Sequence, residues 1–166
     1  MKAAGGRKRV PGTEGPRVRG RTKADGRGKT AAAYLLILWN RRRTVRRVGR
    51  LGRVEFEPGF YVYVGSGGVS VLKRIQRHLR PSKPRRWHVD CLTSGPGRMR
   101  PVDAYVLPGF SECPLAQRLG RRLATVRGFG SSDCRCGGHL YYAPGLGSLQ
   151  AAVNPLVAGP GRAIAR

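Results

Sequence analysis

Residues 59–66 read Gly-Phe-Tyr-Val-Tyr-Val-Gly-Ser, and residues 71–79 read Val-Leu-Lys-Arg-Ile-Gln-Arg-His-Leu. The first segment is an apolar and aromatic run between glycines, a pattern typical of a β-strand. The second segment carries apolar residues at helical spacing, namely Val71, Leu72, Ile75 and Leu79. Pro81 ends this pattern. A strand that leads through glycine into a short helix is therefore the starting point for the fold.

Further elements are predicted on both sides of this pair. Residues 34–39 form a continuous apolar run, which favours a central strand, and residues 48–56 alternate as a strand does. Downstream, residues 102–107 fit another strand, and residues 111–126 fit a helix with Ser111 as its N-cap. The order β-β-β-α-β-α predicts an α/β (α+β) domain, in which a small mixed or antiparallel sheet of three to four strands is flanked by helices.

The two ends of the chain differ in composition from its middle. Residues 1–29 contain ten Lys or Arg, many glycines and no aromatic residue, so they cannot bury enough surface to offset the entropy of ordering. They are predicted to be a disordered basic arm. Residues 144–166 are rich in Ala, Gly and Pro and are predicted to be an irregular tail. Residues 30–143 remain as one folded domain.

The charge of the chain points to a polyanionic partner. Its 33 Lys and Arg outnumber its 8 Asp and Glu, which gives a net charge of +25. Nucleic acid, with DNA favoured, is the expected partner, and nothing in the sequence indicates a protein partner. No apolar run approaches the roughly 20 residues that a membrane span requires, and no signal peptide is visible. A cytoplasmic location is therefore expected.

Two polar residues border the apolar face of the predicted helix. At 100° per residue, Arg74 and His78 lie beside each other at its edge, whereas Lys73, Arg77 and Arg80 point to the opposite, solvated side. An arginine held at that edge can present a planar fork of donors to a phosphate. A surface pair with a carboxylate is the alternative, and carboxylates are scarce in this chain.

Several segments together resemble the GIY-YIG nucleases, and more closely their mostly archaeal branch, the Uri superfamily endonucleases. The resemblance covers about residues 31–142. The segments that carry it are residues 59–66, Arg-His-Leu at 77–79, Trp-His-Val-Asp at 87–90 and Gly-Phe-Gly-Ser-Ser-Asp-Cys-Arg-Cys at 128–136. The resemblance implies a GIY-YIG-like fold and a metal-dependent endonuclease that hydrolyses phosphodiester bonds of nucleic acid, in DNA repair or processing.

The resemblance also implies which residues act. It places catalytic roles on Tyr63, Arg74 and His78, and on Tyr34 as the tyrosine of the family's first motif, although Ala-Ala-Tyr replaces the usual glycine-led form. The literal Gly-Phe-Tyr at 59–61 is the rival, but Tyr61 lies on the same strand as Tyr63 and cannot supply a neighbouring one. Choosing Tyr34 makes residues 40–60 an insertion, whose arginines suit a nucleic-acid-binding hairpin.

The catalytic metal is expected to be Mg²⁺, or Mn²⁺, held by Glu112. This glutamate precedes Leu115 and Leu119 by three and seven residues, so it falls on the apolar face of its helix, where an unpaired carboxylate is costly. The resemblance places the family's metal-binding glutamate in the same segment. A simple capping role in the first helical turn is the alternative.

Other candidate residues lie downstream of the helix. His88 and Asp90 alternate on a segment predicted to be extended, so they would share a face and form a substrate-binding or supporting pair, with Arg85 and Arg86 beside them. A structural hydrogen bond between the two is the alternative.

The four cysteines and a histidine raise the question of zinc. Cys134, Cys136 and His139, with Cys113 or Cys91 as fourth partner, could surround a zinc ion. The spacing is not a standard zinc pattern, so free, buried cysteines are favoured.

A second hypothesis places the protein in a different functional class, that of binding proteins without catalytic activity. A non-catalytic basic nucleic-acid-binding protein that retains the fold explains the charge equally well. The combination of Tyr63, Arg74, His78 and Glu112 favours the enzyme, because a pure binder has no use for an inward glutamate facing a polyanion.

Overall fold

The computed structural model describes residues 16–19 and 32–158. Most of the predicted disordered arm, residues 1–29, lies outside the described residues, as does the end of the predicted tail. The described part of the arm contains a short strand, β1 (Arg17–Arg19), so the prediction of disorder is wrong for these residues, whose backbone pairs with residues 103–105 of the sheet.

A six-stranded mixed sheet forms the centre of the described structure, in the order β1-β6-β2-β5-β8-β7. Only the β1–β6 pair is parallel; the other four pairs are antiparallel. The strands are β2 (Ala32–Asn40), β5 (Gly59–Ser66), β6 (Arg100–Pro108), β7 (Ala124–Thr125) and β8 (Leu140–Ala143). A separate two-stranded sheet is formed by β3 (Thr44–Arg47) and β4 (Arg53–Phe56).

The continuous apolar run of β2 is explained by burial on both faces of the sheet. Successive side chains of a strand point to opposite faces, so Tyr34, Leu36 and Leu38 join one core cluster, and Ala33, Leu35 and Ile37 join the other. The first cluster lies under α1 (Val71–Leu79) and α2 (Asp90–Thr93), and the second under α3 (Glu112–Gly120) and α4 (Leu146–Val157). The sheet is thus packed between two pairs of helices, and both of its faces are buried.

The helix that follows β5 forms where the sequence predicts it. Val71 and Ile75 are buried in the core, whereas Leu72, which the helical pattern places on the same face, is 39% exposed. The helix ends at Leu79, with Arg80 in an extended conformation directly before Pro81, as the restriction on residues that precede proline requires.

The insertion between β2 and β5 is a hairpin, as predicted. Its strands β3 and β4 are joined by a single 3₁₀ turn at Gly49–Leu51. Val48 and Phe56 anchor the hairpin in the core. The hairpin and the loop before it expose six arginine side chains: Arg41, Arg42, Arg43, Arg47, Arg50 and Arg53.

The α+β class is confirmed, and four details of the architecture need correction. The helix predicted over residues 111–126 ends at Gly120, and residues 124–125 form β7. The strand predicted over residues 48–56 is interrupted by the 3₁₀ turn, so only residues 53–56 of it are strand. The sheet has six strands rather than three to four, because β1, β7 and β8 are short and the sequence does not mark them. The segment predicted to be an irregular tail contains α4, because Leu149, Ala152 and Val153 lie on one helical face and are buried against the sheet. Within the described residues, no helix combines the length and apolar character that crossing a membrane requires.

Candidate active site

The glycine near the end of β5 makes room for a tyrosine of the neighbouring strand. Tyr34 in β2 lies opposite Gly65 in the antiparallel register. A Cβ atom at position 65 would collide with the ring and hydroxyl of Tyr34, so a larger residue there would displace that ring. The glycine of the Tyr-Val-Gly motif is therefore required by the packing of Tyr34.

The side-chain rings of Tyr34, Tyr63 and His78, to which the resemblance assigns catalytic roles, form one cluster above the sheet. The ring centroids of Tyr34, Tyr63 and His78 are 6.2, 6.1 and 6.2 Å apart in the three pairs. Tyr34 and Tyr63 project from adjacent strands, and His78 reaches them from α1. Strand pairing and helix placement thus bring together residues that are up to 44 positions apart in the chain.

A chain of hydrogen bonds links this cluster to a buried carboxylate. The Tyr34 hydroxyl lies 3.0 Å from Nε2 of His78, and Nδ1 of His78 lies 3.0 Å from Oδ1 of Asp90. Burial lowers the pKa of His78 below its usual value, so the ring is neutral at pH 7. Because a carboxylate only accepts, Nδ1 donates to Asp90, and Nε2 accepts the proton of the Tyr34 hydroxyl.

Asp90 is completely buried and accepts hydrogen bonds from four residues. Besides His78, Arg77 donates from Nη1 to both carboxylate oxygens at 3.0 and 2.9 Å, and the backbone amides of Arg86 and Trp87 donate at 2.9 and 3.0 Å. Burial alone would raise the pKa of Asp90, but these donors and His78 hold it well below its usual range. Asp90 is therefore ionised and organises the residues around it.

The predicted pairing of His88 with Asp90 is wrong. Asp90 begins α2 instead of continuing an extended segment, so the two side chains do not share a face. Asp90 is too deeply buried to contact a substrate. His88 instead accepts a hydrogen bond at Nδ1 from the Gly130 amide, at 2.8 Å, and packs edge-on against Phe129.

Two arginines one turn apart on α1 have different surroundings. The guanidinium carbons of Arg74 and Arg77 lie 5.0 and 4.4 Å from the centroid of the Trp87 ring, which orients both through cation–π contact. Arg77, which the helical pattern places in solvent, is tied to Asp90 and is 20% exposed. Arg74 lines an open pocket instead.

That pocket lies at the edge of the sheet where β5 ends. Its volume is about 440 Å³, and its polar lining comes from Ser66, Arg74, Ser111 and Glu112. Glu112 is the first residue of α3, and its Oε1 accepts a hydrogen bond from Nδ1 of His139 at 2.8 Å. The structure thus brings the predicted arginine and glutamate to one cleft.

The charges around the pocket affect the ionisation of its side chains. Burial would raise the pKa of Glu112, but hydrogen bonds from His139 and Ser66 and the charge of Arg74 hold it below its usual value. Burial and the negative charge of Glu112 raise the pKa of Tyr63 well above its usual value. At neutral pH, Glu112 is therefore an anion and Tyr63 is a neutral phenol.

Arg85, Arg86 and His88 line a second pocket, of about 310 Å³, together with Arg47 of the hairpin. This pocket is lined by basic residues and is separate from the cleft at Arg74 and Glu112. The residues predicted to bind substrate are thus divided, with Asp90 in the core and the other three at the surface.

Three of the four cysteines meet His139 beside Glu112. The ligand atoms of Cys113, Cys134, Cys136 and His139 all lie within 4.8 Å of one another. Cys91 lies elsewhere and is the only buried member of the four; the expectation of buried cysteines is wrong for the others. Burial and the neighbouring thiols raise the pKa of Cys136 to about 12.

The sequence pattern does not reveal two contacts of this site. Choosing Cys113 rather than Cys91 as the fourth member of the cluster requires knowing that α3 begins next to β8. Predicting the hydrogen bond between His139 and Glu112 requires the same knowledge. The only local signal is the position of Cys113 directly after Glu112.

Comparison with known proteins identifies a family. A family model described as "Domain of unknown function DUF123" matches residues 33–159. Searches of curated proteins and of solved structures returned no significant match. The matched span begins one residue into β2 and includes every later strand and helix, the arginines and Glu112 of the two pockets, and the cysteine cluster. The chain therefore belongs to the family described as domain of unknown function DUF123.

Proposed function

We propose that this protein is a metal-dependent endonuclease of the GIY-YIG type, which hydrolyses phosphodiester bonds in nucleic acid. The observation that carries the proposal is the cleft at the end of β5. It presents one arginine and one ionised glutamate together, and the buried Tyr34, Tyr63 and His78 form a neighbouring cluster that does not line the cleft itself. The net charge of +25 indicates a polyanionic partner. A carboxylate facing that polyanion would repel it, and a bound metal ion would offset this repulsion.

Arg74 is suited to hold the phosphate. Its guanidinium carbon lies 5.0 Å from the centroid of Trp87, and the side chain reaches the pocket from α1. A guanidinium fixed in this way can donate two hydrogen bonds to phosphate oxygens and stabilise the negative charge that develops on them.

Glu112 is the residue that would hold Mg²⁺ or Mn²⁺. Its carboxylate is ionised, it lines an open cleft, and one of its oxygens is engaged by His139. A hard divalent cation is held by one or two carboxylates together with water and phosphate oxygens, which fits this donor set. When bound, the cation supplies Lewis-acid stabilisation of the phosphate.

The two tyrosines act as neutral phenols. Burial raises the pKa of both Tyr34 and Tyr63, so neither is a phenolate that could serve as a strong base. The Tyr34 proton points at His78, because Asp90 fixes the tautomer of that ring. Tyr34, which is 1% exposed and thus about as deeply buried as Asp90, then acts as a positioning residue behind the cleft, and Tyr63, which is 5% exposed, is the donor that positions the attacking water.

The basic surfaces would bind the flanking nucleic acid. The exposed arginines of the β3–β4 hairpin and of the pocket at Arg47, Arg85 and Arg86 supply charge outside the cleft. Phosphate contacts of this kind give affinity without sequence preference.

One observation favours the alternative of a non-catalytic binding protein. Glu112 already accepts a hydrogen bond from His139, so it does not need a metal ion to be satisfied. Activity measurements separate the two functions.

Cleavage should appear when the purified protein is incubated with branched, nicked, single-stranded and duplex substrates in Mg²⁺ or Mn²⁺, and should stop in EDTA. Arg74→Ala should lower the rate about 10²- to 10³-fold, as expected for loss of a donor to a charged transition state. Lys73→Ala is the matched control, because it removes an exposed cation from the same helix and should retain nearly full activity. Equal rates for the two variants would remove Arg74 from the active site.

The arm should contribute to binding rather than to cleavage. Replacing the eight Lys and Arg residues of the arm outside β1 with Gln should weaken binding and flatten its salt dependence, by about 0.9 log unit for each duplex DNA phosphate that the arm no longer neutralises. The replaced residues are Lys2, Arg7, Lys8, Arg9, Arg21, Lys23, Arg27 and Lys29. An unchanged slope of log K against log salt would show that the arm does not bind phosphates.

A further inference from the structure

We propose that Cys113, Cys134, Cys136 and His139 bind one zinc ion. This assignment reverses the expectation drawn from the sequence spacing. It rests on how three separate segments converge, namely the first turn of α3, the loop between β7 and β8, and the entry to β8.

The geometry is close to that of a bound ion. The four ligand atoms lie within 4.8 Å of one another, whereas ligand atoms around a tetrahedral zinc are about 3.5 to 3.8 Å apart, given its usual bond lengths. Small side-chain rotations close this difference. Three thiolates and one imidazole form a closed set of four, which is the arrangement of structural zinc sites. Soft sulfur ligands exclude Mg²⁺ from this position.

His139 has the orientation that a zinc ligand requires. Its Nδ1 bonds to Oε1 of Glu112 at 2.8 Å, and its Nε2 lies 3.4 Å from Sγ of Cys134. In the neutral ring with Nδ1 donating to the carboxylate, Nε2 presents its lone pair toward the thiols. A carboxylate behind a metal-binding histidine is a common supporting contact, because it fixes the tautomer and makes the ring a better ligand.

The loop that carries Cys134 and Cys136 is long and irregular, and zinc binding would stabilise it. Residues 126–139 contain no helix or strand, which is long for the connection between two paired strands. Phe129 is the one large apolar side chain of the loop that is fully buried. Backbone hydrogen bonds close the base of the loop, from Gly128 to Gly137 and from His139 to Phe129. A zinc ion would fix the tip to α3.

The zinc site is a neighbour of the proposed active site. Cys113 and Glu112 are consecutive, and His139 touches both the cysteine cluster and the Glu112 carboxylate. If the proposed function holds, the zinc ion positions Glu112 through His139, at the wall of the cleft that Cys113 lines. The zinc content can be measured without any activity, so this site and the nuclease proposal can fail separately.

The test uses the full chain, purified under reducing conditions without chelators. We expect about one zinc per chain by elemental analysis, and d–d absorption bands of tetrahedral, thiolate-bound cobalt after exchange for Co²⁺. Stripping the ion with a strong chelator should lower the melting temperature by about 10 °C. Protein that is isolated without zinc and does not take up Co²⁺, that holds iron instead, or that contains a disulfide among these cysteines would overturn the proposal.

Two variants make the assignment specific. Cys136→Ser should lower the zinc content and weaken the thiolate-to-cobalt charge-transfer band. Cys91→Ser is the matched control, because Cys91 lies outside the cluster and should retain one zinc per chain. If Cys136→Ser does not fold, the wild-type metal content and cobalt spectrum decide the question. Equal zinc loss in both variants would contradict the proposed ligand set.

Discussion

Replacing Glu112 with Gln should reduce Mg²⁺-dependent cleavage on the order of 10³-fold while leaving nucleic-acid binding intact. The substitution keeps the shape of the side chain and removes the charge that a hard cation needs. Residues 30–143 carry 21 basic and 6 acidic residues, so loss of one anion should leave binding unchanged or make it slightly tighter. Cleavage and binding are measured on the same folded preparation.

The structure makes this substitution a clean test. A glutamine at position 112 still offers an amide oxygen to the Nδ1 proton of His139, so the histidine should keep its orientation and the proposed zinc its ligand. Glu55→Gln is the matched control, because that carboxylate forms only an exposed pair with Arg43. Full cleavage activity of Glu112→Gln would show that Glu112 only supports His139, would remove it from the active site, and would leave the enzyme proposal resting on Tyr63 and Arg74.

Asp90→Asn should lower the free energy of unfolding by about 3 to 5 kcal/mol, the usual cost of breaking a buried ion pair from one side. The neutral amide leaves Arg77 without its counter-ion and turns an NH₂ group toward donors that need an acceptor. Such a loss corresponds to a fall in melting temperature of roughly 10 to 20 °C. Thermal or denaturant unfolding measures it.

The pH dependence of stability provides a second readout at the same residue. The pKa of Asp90 is lowered by folding, so its contribution is complete above its unfolded value of 3.8 and is lost as the pH falls below it. His78 also has a lowered pKa, so the unfolded chain binds a proton there first, and stability begins to fall near pH 6.5. Asp90→Asn should remove the contribution of Asp90 to the loss at low pH, whereas the contribution of Glu112, whose pKa is also lowered, should remain.

Glu57→Gln is the control for this experiment, because Glu57 forms an exposed pair with Arg43. Pairs of this kind contribute about 1 kcal/mol or less. If Asp90→Asn is no less stable than Glu57→Gln, the hydrogen bonds around Asp90 do not hold the domain together.

The central part of the fold could be predicted from the sequence, because its elements carry strong local patterns. Each of these elements shows its burial in its own sequence: β2 as a continuous apolar run, β5 as an aromatic strand, and α1 as apolar residues at helical spacing. The positions of Arg74 and His78 at the edge of the helix follow from the same periodicity. Residues on these elements meet as expected, since strand pairing and helix packing bring them to one place.

The remaining features depend on contacts between distant segments. Arg77 faces solvent by helical geometry alone, and only the position of α2 brings Asp90 within its reach. The prediction for Asp90 is wrong because α2 is only four residues long, and so short a helix cannot be distinguished from an extended segment by its sequence pattern. Cys113 meets Cys134 across 21 positions, and a lone cysteine followed by Cys-x-Cys-x-x-His is not a standard zinc pattern. Tertiary contacts decide these cases, and local patterns do not reveal them.

The short strand β1 has a practical consequence for handling the protein. It pairs with β6 over three residues, from Arg17 opposite Asp103 to Arg19 opposite Tyr105, and an ion pair between Arg19 and Asp103 reinforces it. A chain trimmed to begin at residue 30 would leave the backbone N–H and C=O groups of that stretch of β6 unpaired at an open sheet edge. Open edges recruit strands from other molecules. Trimmed versions should therefore start upstream of Arg17, since shorter ones invite aggregation that would be mistaken for natural oligomers.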